Sequence, residues 1–198
     1  MSCLLNWFAA NKEALAGLAS IFAIFGTVLA VAIFFSGVRQ YMKAERWKKT
    51  EFLAKLHSEF SNDPGARRAM WMLDGDDRSI FFEEGDKHKR YRVDQKILWD
   101  ALRRYSPERK FSPLDLHIRD SLDRFLVYIE EVDRAIENGL IDKDEAYPYF
   151  FYWIKLLNDP GETTEDEEAR KRVLDYINVI GFKHVERFLA RWPSEKVE

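Results

Sequence analysis

Apolar positions along this chain follow two rhythms, and the first is the simplest. From Ala14 to Val38 the run ALAGLASIFAIFGTVLAVAIFFSGV carries no charged side chain, and its only hydroxyls are on Ser20, Thr27 and Ser36. As a helix it reaches about 37 Å at 1.5 Å per residue, more than the roughly 30 Å of a bilayer's hydrocarbon core. A helix also lets one lone segment satisfy every backbone N–H and C=O group in lipid. Residues 14–38 are therefore read as one transmembrane helix. The run is far longer than the roughly 7–15 apolar residues of a signal peptide. The small-x-small triplet Ala30-Val31-Ala32 is followed by more apolar residues, so the helix is read as an uncleaved anchor.

After Val38 the rhythm becomes helical. Tyr41, Ala44, Trp47, Phe52, Leu53, Leu56 and Phe60 recur at an approximate helical period with no Pro or Gly between them, which predicts a juxtamembrane stalk over 39–60. Asp63-Pro64 looks like an N-cap and first helical residue, opening a short helix that stops at Gly75. Asp76 to Val93 is irregular and is read as a loop, with Ile80-Phe81-Phe82 as a brief extended piece. A helix follows from Asp94 through QKILWDALRRY. Ser112-Pro113-x-Asp115 has the form of a capping box, and Leu116, Ile118, Leu122, Phe125, Leu126, Ile129, Val132, Ala135 and Ile136 give a long apolar stripe behind it. Gly139 closes that helix, and Asp142 caps the next. There Tyr149 to Ile154 are apolar on every face, which predicts a helix surrounded by others, with Pro148 kinking it or redefining its start. An acidic loop, a helix from Thr164 to Gly181 and a short last helix complete the chain. The fold class expected is all-α: one N-terminal transmembrane helix followed by a cytoplasmic multi-helix bundle of about five or six helices, in the order 1–13, 14–38, 39–60 and 61–198.

Charge orients this layout. Arg39, Lys43, Arg46, Lys48 and Lys49 face Glu45 alone after the apolar run, whereas Lys12 and Glu13 cancel before it. The positive-inside rule then makes the chain a single-pass protein of the cell (inner) membrane, N-terminus outside and C-terminal domain cytoplasmic. Trp7, Phe8, Tyr41 and Trp47 suit the two interfaces, and the basic cluster makes a bilayer with anionic headgroups the first partner, at about 1 kcal/mol per base near the surface. Ala16, Ala19, Ala23, Gly26 and Ala30 share one narrow face, a candidate seam for a homo-oligomer or another protein partner. Aromatics at 15% argue for a folded domain despite 33% charged residues, and a net charge of −3 gives no pointer to nucleic acid. Cys3 is the one cysteine, which excludes an intrachain disulfide.

The search for chemistry yields no catalytic, cofactor-binding or metal set. His117 and Asp120 stand at i, i+3 and would make half a metal site, but an ion pair on a solvated helix face is the preferred reading. Glu130 and Glu131 are adjacent and point about 100° apart, so they do not pair as acid and base. Asp74-Gly75-Asp76-Asp77 is read as a turn. Lys87, Lys89, Arg90 and Arg92 form a candidate polyanion loop. Tyr149, Phe150 and Trp153 are candidate docking aromatics, with a place in the core preferred.

The segment from Arg124 to Leu157, with Phe125, Tyr128, Glu130, Glu131, Gly139, Ile141 and Asp142 at its marked positions, resembles a bacterial family of membrane-anchored helical domains of unknown function. Phe60, Asp63-Pro64 and Arg67 after the basic stretch are also similar. The resemblance implies a bacterial origin and this layout, and no activity. Function is accordingly expected to be that of a membrane-tethered, non-catalytic interaction or regulatory module. The alternative is an enzyme, or a nucleotide- or polyanion-sensing domain, with a site assembled from scattered Arg, Asp and His. Within the alternative, a polar pocket joining His117, Asp120 and an arginine pair would favour the enzyme; a dry core with an exposed apolar patch would favour the module. A channel is disfavoured because the span carries no charge.

Overall fold

The structure, a computed structural model, describes residues 12–74, 79–84, 87–158 and 164–193. Cys3, Trp7 and Phe8, the turn beginning at Gly75 and much of the acidic loop lie outside them. In chain order the elements are α1 (Lys12–Asn62), α2 (Pro64–Leu73), β1 (Ser79–Glu84), β2 (Lys87–Arg92), α3 (Gln95–Ala101), α4 (Pro113–Glu137), α5 (Lys143–Asn158), α6 (Thr164–Ile180) and α7 (Lys183–Ala190). The molecule is mostly helical, in keeping with an all-α class, and adds one two-stranded antiparallel hairpin. It divides into two compact units, Met1–Lys48 and Lys49–Glu198.

In the first unit α1 runs through the apolar stretch without a break, and its side chains from Phe22 to Val38 are all exposed. Among the described residues it is the one helix long and apolar enough to cross a membrane, with a window of mean hydropathy 2.0 and none of that window buried. The Thr27 hydroxyl donates to the Ala23 carbonyl at 2.8 Å, so the side chain's polarity is absorbed inside the helix. Tyr41 and Trp47 are each 70% exposed.

The second unit is built around α4, which packs against α2, α3 and α7. Its Ile118, Leu122, Phe125, Leu126, Ile129 and Val132 are buried, as the stripe predicted, whereas Leu116 at its start is half exposed. The α1 end contributes Leu53, Leu56 and Phe60 to this core; the Phe60 ring lies 5.4 Å from Phe125 and 5.6 Å from Phe150. Local signals set the boundaries. Asp63, Asp94 and Ser112 each accept a hydrogen bond from the backbone N–H three residues on, and the Asp115 carboxylate accepts the Ser112 backbone N–H in turn to complete the capping box. Gly139 (φ 68°) and Gly181 (φ 91°) take the left-handed conformation that lets the next residue, Leu140 or Phe182, bond back to Ala135 or Ile177.

Three expectations are corrected. The segment read as a loop is the β1–β2 hairpin, with Ile80 opposite Tyr91 and Phe82 opposite Lys89. Buried Ile80 and Phe82 alternate along β1, and that period of two gives the hairpin an inner face. Helix α3 ends at Ala101 rather than running to Tyr105, because Arg119 donates to the carbonyls of Ala101 (3.1 Å) and Arg103 (3.2 Å) and so caps it from α4. Finally, α5 is not surrounded. Ala146, Phe150, Ile154 and Leu157 are buried on one side, while Tyr149, Phe151 and Tyr152 are 40–49% exposed.

A polar cleft as the candidate functional site

The start of α2 and the first half of α4 enclose a cleft of about 550 Å³, with Gly65 and Arg68 on one side and His117, Asp120, Asp123 and Arg124 on the other. Their spacing explains the gathering: 117, 120 and 124 fall on one face of α4 at i, i+3 and i+7, opposite the buried stripe. Asp63 ties the two sides together. One of its carboxylate oxygens caps α2 through the Ala66 N–H at 2.8 Å, and the other receives Arg124 Nη1 at 3.0 Å. Arg124 lies across Gly65 so closely that a Cβ there would collide with its side chain, and a larger residue at this position would displace the arginine.

The hairpin orients two further groups. The fully buried Phe82 ring carries the His117 imidazole stacked on it, centroids 5.2 Å apart and planes 15° apart, and the Arg68 guanidinium 5.4 Å from its centroid. Among the described residues, the Arg68 guanidinium and the Asp120 carboxylate have no ion-pair or hydrogen-bond partner, and the His117 ring nitrogens have no hydrogen-bond partner. Asp123 is different, accepting the hydroxyl of buried Tyr176 at 2.6 Å. Burial raises the Asp123 carboxyl above the usual aspartate range and Asp120 adds to the rise, against the Tyr176 hydrogen bond and Arg119. Burial first, then the bond to Asp123, raises the Tyr176 phenol.

A second charged cluster sits at the other end of α4. Asp133 is fully buried, with Arg187 Nε (2.7 Å) and His184 Nδ1 (3.0 Å) on one oxygen and Arg191 Nε (2.7 Å) on the other. Burial would push its carboxyl up, but the hydrogen bonds from Arg191, His184 and Arg187 outweigh that and hold it below the usual range. Asp133, Glu137 and His184 also offer ligand atoms within 4.8 Å of one another, the makings of a metal site. Arg187 already stands among all three, with Nη1 2.6 Å from Glu137 and Nη2 2.6 Å from His184. A guanidinium fills the place a metal ion would take, and the cluster is an ionic staple between α4 and α7.

Of the residues singled out from sequence, Arg39, Lys43, Arg46 and Lys48 are exposed along α1 and Lys49 is half-buried. The candidate polyanion residues lie on β2, not in a loop. Lys87 and Lys89 stand at odd-numbered positions of the strand and Arg90 and Arg92 at even-numbered ones. Among the docking candidates Phe150 is core, Trp153 is half-buried with its ring edge-on to Phe125, and Tyr149 is 40% exposed with its ring against His57. His117 and Asp120 do belong to a common site, whereas Arg68 and Arg124 were not singled out, because pairing across two helices leaves no trace in linear spacing. Asp133 had a signal: an acid lying between Val132 and Ala135 in the apolar stripe has to be paired. The chain matches no protein-family model, no curated protein and no solved structure.

Proposed function

We propose that this protein is a membrane-tethered, non-catalytic regulatory module, held by α1 in the inner membrane with its helical domain in the cytoplasm. The observation that carries the reading is the contrast inside one helix. From Phe22 to Val38 every side chain of α1 is exposed, including rings 61–74% exposed, while Leu53, Leu56 and Phe60 further along are buried in a core. Apolar surface on that scale, followed directly by Arg39, Lys43, Arg46, Lys48 and Lys49, fits lipid and then headgroups. Membrane fractionation with alkaline carbonate extraction tests the anchor, and a reporter fused after Glu198 tests the side. Retention in the pellet and cytoplasmic reporter activity are expected; release into the supernatant, or periplasmic activity, rejects the corresponding half of the reading.

A second observation shapes what the module does. The cleft brings His117, Asp120, Arg68 and Arg124 together, the combination set out above as favouring the alternative, an enzyme or a sensing domain. It supports reading the module as one that responds to a bound small molecule, with the cleft as its receiving site.

A further inference from the structure

Resting on the reading of the cleft as a binding site, we infer that its ligand is a phosphate ester carried on a hydroxyl-bearing body, such as a sugar phosphate or a nucleotide. The argument begins with the partners each charge already has. Arg124 is engaged by Asp63, and Asp123 by Tyr176. That leaves Arg68 and Asp120 on opposite sides of the same cleft, more than an ion-pair distance apart and each without a partner among the described residues. A simple anion would satisfy Arg68 and meet repulsion from Asp120; a simple cation would do the reverse. A molecule with an anionic group at one end and hydroxyl donors at the other satisfies both.

The geometry of the positive side selects phosphate. Phe82 holds the Arg68 guanidinium and the His117 ring against the same aromatic ring, so a planar fork of donors and an imidazole are presented together. The guanidinium fork matches tetrahedral oxyanions bidentately, and an imidazole adds a third donor. On the other side, a carboxylate is an acceptor only and pairs with hydroxyl hydrogens. At about 550 Å³ the cleft has room for a body beyond the phosphate itself, in the range of cofactor-sized sites. The ester could be a soluble metabolite or the head of a phosphorylated inositol lipid. The chemistry recognised is the same in both.

The test uses the full chain in phosphatidylcholine nanodiscs, titrated calorimetrically with inorganic phosphate, ribose 5-phosphate, adenosine 5′-monophosphate, ribose and glucuronate. Saturable binding of a phosphate ester is expected, weakened about tenfold or more by Arg68→Gln. Asp120→Asn is expected to weaken the ester while strengthening inorganic phosphate, which no longer meets the carboxylate's repulsion. Adding phosphatidylinositol 4-phosphate to the discs separates the sources: loss of the soluble titration assigns the site to the lipid head, and an unchanged titration assigns it to the metabolite. Glucuronate binding that depends on Arg68, with no ester binding, overturns the phosphate assignment while keeping the cleft as a site. Absence of binding by every probe, or ester binding indifferent to both substitutions, overturns the cleft as a site as well. Unchanged melting temperatures of the two variants show that they are folded.

Discussion

Helix α4 carries a charged cluster at each end, and the two are finished to different degrees. At its C-terminal end Asp133 is fully buried and both of its oxygens are taken, by His184 and Arg187 on one and Arg191 on the other. At its N-terminal half Asp120 is exposed and Arg68 faces it across a cleft with no carboxylate of its own. The same residue types thus serve two ends. A closed set of charges in a dry place fixes how helices pack, because each member would be costly to leave alone. An open set in a wet concavity adds little to packing and leaves its hydrogen-bonding capacity for something else.

The largest test of this contrast is Asp133→Ala. Breaking a buried cluster from its centre leaves Arg191 without its counter-charge and Arg187 with Glu137 alone, and the expected loss is about 3–5 kcal/mol, read by urea unfolding of the full chain in detergent. A loss under about 1 kcal/mol would mean that apolar packing alone secures α7. A smaller test uses pH, because the two clusters carry opposite signs. The Asp133 carboxyl is held below its usual range in the fold, so its contribution is present above the unfolded value and fades as pH falls through the lowered one. The Asp123 carboxyl is raised, so its contribution is complete below the unfolded value and fades as pH rises through the raised one. Asp133→Asn should therefore flatten the acid side of the stability profile. Asp123→Asn should leave stability at pH 7 unchanged or higher by no more than about 1 kcal/mol, with any gain vanishing in acid. A clear drop at pH 7 would show that the Tyr176 hydrogen bond needs the charged form. Smallest of all, Arg68→Gln and Asp120→Asn should change stability by less than about 0.5 kcal/mol without ligand, measured by thermal melts. A larger loss from either would put it in the closed class.

Local chemistry is what the sequence makes legible here. Ser112 with Asp115, Asp63 with Pro64, and the glycines at 139 and 181 each bring a donor, an acceptor or a backbone freedom that acts within a few residues, and each boundary stands where it was expected. The apolar stripe of α4 was legible for the same reason, since period alone decides which side turns inward. The hairpin carries a fainter signal: Gly85-Asp86 separates two runs of strand length, and Ile80 and Phe82 alternate. The charged run on β2 obscured it. The early end of α3 had none, because Arg119 acts from eighteen residues away. Both charged clusters fall in the same gap: each joins α4 to another helix, and only half of each constellation is visible on α4 itself.

Asn158, the last residue of α5, draws out one more consequence. Its side-chain nitrogen donates to the carbonyls of Leu189 (3.1 Å) and Trp192 (2.8 Å), and its own carbonyl accepts from Arg170 at 2.9 Å. One residue thus joins α5 and α6 to the end of α7, and it holds that end with side-chain hydrogens that aspartate does not have. Hydrolytic loss of that amide nitrogen, the commonest chemical ageing of asparagine, would leave a carboxylate facing two carbonyl oxygens. The end of α7 is therefore held by hydrogens that the loss of a single amide nitrogen would remove.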